Sequence, residues 1–459
     1  MGTMTERAQI HPASLVAFRV LFGLVLLAST VRFWANGWIE RFYLEPTYHF
    51  TYWGFGWVQP LPAWGMYAAF AALAGLAVCI TVGFCYRAAV AAFLVGFTYV
   101  ELIDVAMYLN HYYLVSLLCL LMLFLPLHRT GSVDAWLRPS LRRATAPSWA
   151  LWLLRAQVGV VYVFAGLAKL GEDWLLHAQP LNLWLSSRVD VPVVGPYLDA
   201  WPVAAAMSWG GFLFDTTIVL WLLWRPTRPY AFAVLLGFHV VVGWLFPIGM
   251  FPVIMVVAAT VFLAPDWPLR LRDALRRRPS APAHAAPLSI AGWPKAAVVA
   301  LVVLLAVQVA MPLRAHLLYD GDVLWHEQGM RWAWRVMVRE KNGAVLYRVT
   351  LPDGREQHVS PTRYLTRHQE REMTGQPDLI LALAHHIHDD YAGRGITPVQ
   401  VRVDALSSLN GRAPAHLIDP NIDLCTVNDG LGPARWVMPR PQTPPARLGR
   451  QGDLWSAAF

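Results

Sequence analysis

The stretch "VYVFAGLAKLGEDW" (Val161 to Trp174) sets a lysine, Lys169, at the end of an apolar run, and the chain has only two other lysines, Lys295 and Lys341, among many arginines. An amine taken out of water can give up its proton and serve as a base, whereas a guanidinium cannot. A lysine of pKa about 10.4 is neutral in only about one molecule in a few thousand at pH 7, so desolvation at a membrane edge is what would make Lys169 a base. The plainer reading is a lysine with its stem in hydrocarbon and its ammonium at the interface. Glu172 and Asp173 follow within a turn and favour the cation, as does a helix C-terminus. Gly171 is expected to break the helix, which lets those carboxylates turn away.

Further polar groups fall at comparable places. His111, with Asn110 beside it in "YLNHYYL", sits at the same outer membrane depth as Lys169 and could donate or accept a hydrogen bond at a shared site. His239, in "GFHVVVGWLFPIGMFP", is an ionisable group inside an apolar span and therefore a candidate for binding. Arg188, in "WLSSR", lies just beyond Lys169 and could hold a substrate carboxylate. Arg19, Arg155 and Asp215 also fall within spans, and a structural pairing of Arg19 or Arg155 with Asp215 is expected. "HHIHDD" places His385, His388 and Asp389 on one helix face, but no second cluster of matching type accompanies it, and no metal site is expected. GxGxxG, P-loop, GxSxG and HExxH patterns are all missing, so nucleotide and conventional hydrolase chemistry have no foothold.

The elements that must position these groups are membrane helices. Of 459 residues 56% are hydrophobic and 14% charged, with 22 Trp, a composition that points to a polytopic α-helical membrane protein. About nine transmembrane helices are predicted, near 13–33, 63–84, 88–108, 111–128, 148–169, 201–224, 229–247, 249–265 and 296–312. "FPIGMFP" alone separates the seventh from the eighth, which leaves a re-entrant or broken pair open. The net charge of +8 resides in short loops: Arg7, Arg87, Arg129 to Arg143, Arg225 with Arg228, and Arg270 to Arg278. That distribution fits membrane topology rather than nucleic acid, and it places the N-terminus in the cytoplasm and everything beyond 312 outside.

After a Pro/Ala-rich linker at 276–294, residues 313–440 are predicted to form an extracytoplasmic α+β, β-rich domain, followed by a Pro/Arg-rich disordered tail at 441–459. "WRVMVRE-KNG-AVLYRVTLPDG" carries a hairpin signature around its turn, "PDLILALAHHIHDDYAGRG" reads as an amphipathic helix, and "VQVRVDAL" as a strand. Cys79, Cys85, Cys119 and Cys425 form no CxxC pair or disulfide framework.

"VYVFAGLAKLGEDWL", "YLNHYYL", "HRTGSVDAW", "GGFLFDTTIVLWLLW", "FHVVVGWLFPIGMFP", "APDWP", "MPLRAHLLYDGDVLWHEQGMRWAWRVMV" and "LIDPNIDL" together resemble the vitamin K-dependent γ-glutamyl carboxylases and their bacterial relatives, which share the HTTM membrane region. The resemblance runs from about residue 13 to about 440. It implies that Lys169 is the catalytic lysine that deprotonates reduced vitamin K (a phylloquinone or menaquinone hydroquinone). Oxidation by O2 to the epoxide then drives removal of a glutamate γ-proton, and CO2 captures the carbanion. His111 matches a histidine associated with that proton abstraction, Asn110 its neighbour, His316 in "LRAHLLY" a histidine at the domain junction, and Arg188 an arginine. The implied partners are a Glu-containing protein or peptide, membrane lipid and quinol. Composition and size suggest a multi-pass protein of a bacterial plasma membrane. The chain is shorter than the animal carboxylases, mainly in the part that would grip a propeptide. Two other readings stay open on the sequence: a quinol-epoxidising membrane oxygenase without carboxylation, and a non-catalytic membrane or transport protein.

Overall fold

The computed structural model describes residues 9–278 and 293–448. A helix stands at each of the nine expected places: α1 (Ala13–Ala35), α2 (Ala63–Val82), α3 (Tyr86–Leu102), α4 (Asn110–Phe124), α5 (Ser148–Leu167), α6 (Trp201–Leu223), α7 (Arg228–Leu245), α8 (Phe251–Ala259) and, after the amphipathic α9 (Trp267–Leu275), α10 (Lys295–Leu318). The expected count of nine spans is not confirmed. Among the described residues six helices are long and apolar enough to cross a bilayer, or seven if Phe251–Phe262 and Trp267–Leu275, bent by 98°, form one span. With 17 and 15 residues, α3 and α4 reach only about 26 and 23 Å, short of the roughly 30 Å hydrocarbon core. The bend also falls later than "FPIGMFP", which forms the turn between α7 and α8.

Burial decides which helix is central. In α5, 72% of the apolar window is buried inside the protein, against 17% in α10. Lys169 follows the end of α5 and so emerges inside the bundle, not on its lipid-facing rim. Close approach of α5 and α6 depends on Gly166: a Cβ there would lie 2.8 Å from the Thr216 backbone nitrogen.

The C-terminal part is an α+β unit. Strands β1 (Lys341–Thr350), β2 (Glu356–Val359), β3 (Gln400–Leu409) and β4 (Ala415–His416) form an antiparallel sheet in the order β2-β1-β3-β4. Helix α11 (Pro377–Gly393) covers one face, with Ile380, Leu383 and Ile387 packed on Tyr347, Val401 and Val403. The expected helix and last strand are thus present, whereas the expected hairpin is displaced. Its turn is at Pro352 to Gly354, and Tyr347 pairs with Val359 across it. Residues 334–340 form no strand because their apolar side chains pack onto the membrane helices. Trp334 is fully buried, stacks on Tyr113 and donates from Nε1 to Gln308 Oε1 at 3.0 Å.

Two polar clasps join the halves. Asp104, before α4, accepts from Gln369 Nε2 at 2.8 Å. Asp173, in the turn after Lys169, accepts from both Nη atoms of Arg412 at 2.6 Å and from Asn410 at 2.9 Å. The chain expected to be a disordered tail from 441 is instead held as far as 448. Arg412 donates to Thr443 O, Gln179 to Ala446 O and Asn182 to Leu448 O, because these buried donors need acceptors. The rest of that tail, most of the linker and Arg7 lie outside the described residues.

Candidate active site

An apolar cavity with about 660 Å3 of empty space, part of it open to solvent, lies where α5, α6, α7 and α8 meet beneath the C-terminal domain. Phe238, Phe246, Phe251 and Trp174 supply aromatic wall, and Val336 and Met337 reach in from the C-terminal domain. Trp332, Trp334 and Met337 hold left-handed backbone conformations (φ 59°, 56° and 55°), which non-glycine residues adopt only when surrounding contacts enforce them. The anchored Trp334 ring is one such contact, and it leaves Met337 aimed at the cavity.

Lys169 and Asp215 are the charged pair in this wall. Lys169 Nζ donates to Asp215 Oδ2 at 2.7 Å and to Ala165 O at 3.0 Å, and it lies 5.1 Å from the centre of the Trp174 ring. Lys169 is 5% exposed and Asp215 7%, so water does not dissipate their attraction. The expected partners of Asp215 were wrong. Arg19 donates to Leu127 O and Gly131 O, and Arg155 to Val261 O and Leu263 O. Arg155 precedes Lys169 by 14 residues, nearly all of them in α5, which sets it about 21 Å away along the axis, too far to reach Asp215. The feared competitors of Lys169 do turn away: Asp173 binds Arg412, and Glu172 lies 3.1 Å from Arg440.

His239 also lines the cavity, its Nε2 2.8 Å from the Tyr162 hydroxyl. With that hydroxyl donating, Nδ1 carries the ring proton, and Nδ1 is buried without a hydrogen-bond partner. His111 stands one ring behind: Phe251 is 6.0 Å from it and 6.4 Å from His239, centre to centre. Asn110 lines a neighbouring cleft and donates to Arg335 O at 3.2 Å. Arg188 lines neither space, since its Nε donates to Leu245 O at the end of α7. His316 is exposed and accepts from Arg335 Nη2 at 2.9 Å. The histidines of "HHIHDD" diverge: His385 is 3.0 Å from Leu424 O, His386 stacks on Tyr48, and His388 is 3.2 Å from Asp389. Among the described residues no group of three or more His, Cys, Asp or Glu is placed to hold a metal ion.

Sequence reasoning missed Asp215 as the partner of Lys169. Its signal was a carboxylate inside the apolar run "GGFLFDTTIV", a position that demands a buried counter-charge without saying which one.

Residues 8–267 match the HTTM domain, more than half of the chain, and residues 293–443 match the vitamin K-dependent gamma-carboxylase, lumenal domain. No solved structure matches the chain.

Proposed function

The chain belongs to the HTTM family and carries the lumenal domain of the vitamin K-dependent gamma-carboxylases, and from that membership we propose that it γ-carboxylates glutamate in a protein or peptide at the Lys169 cavity. The carrying observation is the buried Lys169–Asp215 pair in an apolar cavity roofed by the lumenal domain.

The cavity suits a prenylated hydroquinone. Its aromatic walls fit a flat ring, and two polar positions, Lys169 with Asp215 and the unpartnered His239 Nδ1, fit hydroxyl groups. When bound, reduced vitamin K supplies the driving chemistry, since its oxidation by O2 to the epoxide allows removal of a glutamate γ-proton and addition of CO2.

The chain's own residues hold and move one proton. Passing it from Lys169 Nζ to Asp215 Oδ2, across 2.7 Å, leaves a neutral amine beside a neutral acid. Apolar walls penalise both ions of the charged pair, so the transfer costs less here than it would in water. The free amine then takes the proton of a hydroxyl brought against it. Phe251, between His111 and His239, keeps His111 close to the ring site, where His111 assists γ-proton removal and Asn110 fixes the adjoining backbone of Arg335. Val336, Met337 and Trp334 exclude water, which would quench a carbanion. Arg188 and His316 act at one remove, Arg188 by holding the end of α7 and His316 by holding Arg335. In this reading the lumenal domain faces the outside of a bacterial plasma membrane, and the arginine-rich loops at the opposite helix ends face the cytoplasm.

The test uses purified protein with vitamin K hydroquinone, oxygen, labelled bicarbonate and a Glu peptide. The expected result is epoxide together with label in the peptide. Epoxide without label leaves a quinol epoxidase, and neither product ends the reading.

A further inference from the structure

An open polar cleft of about 1260 Å3 adjoins the cavity, between the outer start of α4 and the lumenal domain. Five cations line it: Arg331, Arg335, Arg339, Lys341 and Arg371. Four of them are matched by carboxylates. Arg331 lies 2.6 Å from Asp378, Arg339 and Lys341 lie 3.2 and 3.3 Å from Glu327, and Arg371 lies 3.3 Å from Glu372. Arg335 differs: among the described residues it makes no ion pair, its one side-chain partner is the imidazole of His316, and its Nε is buried without a hydrogen-bond partner.

A buried guanidinium N–H left without an acceptor is costly, and a carboxylate oxygen is the acceptor that best satisfies it. Its position is also specific. Arg335 lines the cleft, Val336 lines the cavity of Lys169, and Met337 lines both. The Arg335 carbonyl is tied to Asn110, the neighbour of His111. A side chain held by Arg335 therefore enters from the aqueous side and stands at the threshold of the cavity.

We propose that Arg335 is the receptor for the substrate's side-chain carboxylate, with the cleft around it taking the peptide and Met337 separating peptide from ring. The proposal rests on the carboxylase reading for the identity of that carboxylate as glutamate. Arg188, expected from the sequence to hold a carboxylate, is spent on a helix end, and Arg335 takes that part.

The test is binding, not turnover. Fluorescence anisotropy follows a labelled Glu peptide and its Gln counterpart on full-length, quinol-free protein in lipid nanodiscs. Wild type is expected to prefer Glu over Gln by about tenfold or more, the worth of a charge-assisted hydrogen bond. Arg335→Gln is expected to abolish the preference. Arg335→Lys keeps the charge without the fork, so it retains part of the preference and serves should the Gln variant not fold. Arg355→Gln, on the exposed hairpin turn, leaves the preference intact. Equal affinity of wild type for both peptides overturns the proposal, as does an undiminished preference in both Arg335 variants. A protein that discriminates through Arg335 yet carboxylates nothing keeps this site and loses the carboxylase reading. One that carboxylates without the Arg335-dependent preference does the reverse.

Discussion

Lys169 Nζ stands 2.7 Å from Asp215 Oδ2 across the seam between α5 and α6, and neither residue has another opposite charge within salt-bridge distance among the described residues. The pair is therefore a closed unit, and its two halves should be energetically inseparable.

Removing one partner of a buried pair costs about 3–5 kcal/mol because the other is left unpaired. Lys169→Ala and Asp215→Ala should each lower stability by that order in thermal denaturation, while the volume-matched, apolar Lys169→Met/Asp215→Leu double variant recovers most of it. All three should lack product. Single variants as stable as wild type would mean that the pair is not buried in this way.

The seam itself can be tested at its glycines. A Cβ at Gly166 would lie 2.6 Å from Thr216 Cγ2 and 2.8 Å from its backbone nitrogen, whereas one at Gly159 would meet a Val219 methyl at 3.4 Å. Gly166→Ala should cost about 1–3 kcal/mol and reduce turnover by spreading Lys169 from Asp215. Gly159→Ala should be far milder. Equal melting temperatures for the two variants would contradict the contact.

Asp173 ties the turn after Lys169 to the lumenal domain. Burial opposes its ionisation, but hydrogen bonds from Arg412 and Asn410 outweigh that and hold its carboxyl below the usual carboxylate range. A carboxyl depressed in the folded state contributes stability that is complete above its unfolded pKa, about 3.9, and is lost as pH falls through the folded value. The stability gap between wild type and Asp173→Asn should be constant from pH 5 to 7 and shrink below about pH 4. A gap that does not change with pH would contradict the clasp.

Lys341, in the polar cleft, has the opposite chemistry. Burial pushes its amine down to about 8, despite Glu327. The unfolded chain then binds more protons between that value and about 10.4, so the lysine's contribution to stability rises with pH across this window. Wild type should gain on Lys341→Met between pH 8 and 10, as followed by denaturation midpoints; a flat difference would place the amine in water.

Much of this architecture was legible because it depends on local pattern. Lys169 stood out as a cation after an apolar run, and α11 and β3 followed from their periodicity. The failures share a cause, which is contact between segments distant in the chain. Asp215 is 46 residues from Lys169 on another helix, and helix faces alone do not say which cation meets it. Residues 334–340 alternate like a strand, but the alternation records burial of Trp334 and Val338 on membrane helices. Arg335 was invisible for a subtler reason: its distinction is a partner it lacks, while neighbouring cations have theirs.

The central claim is that the Lys169 amine takes the hydroquinone's proton within this cavity. Rapid-quench measurement of epoxide in a single turnover at saturating hydroquinone, comparing wild type with Lys169→Met, tests it most directly, with equilibrium binding of labelled hydroquinone measured alongside. The account predicts that the variant binds hydroquinone within a few-fold of wild type and forms no epoxide. Epoxide formed by Lys169→Met at the wild-type rate would contradict it.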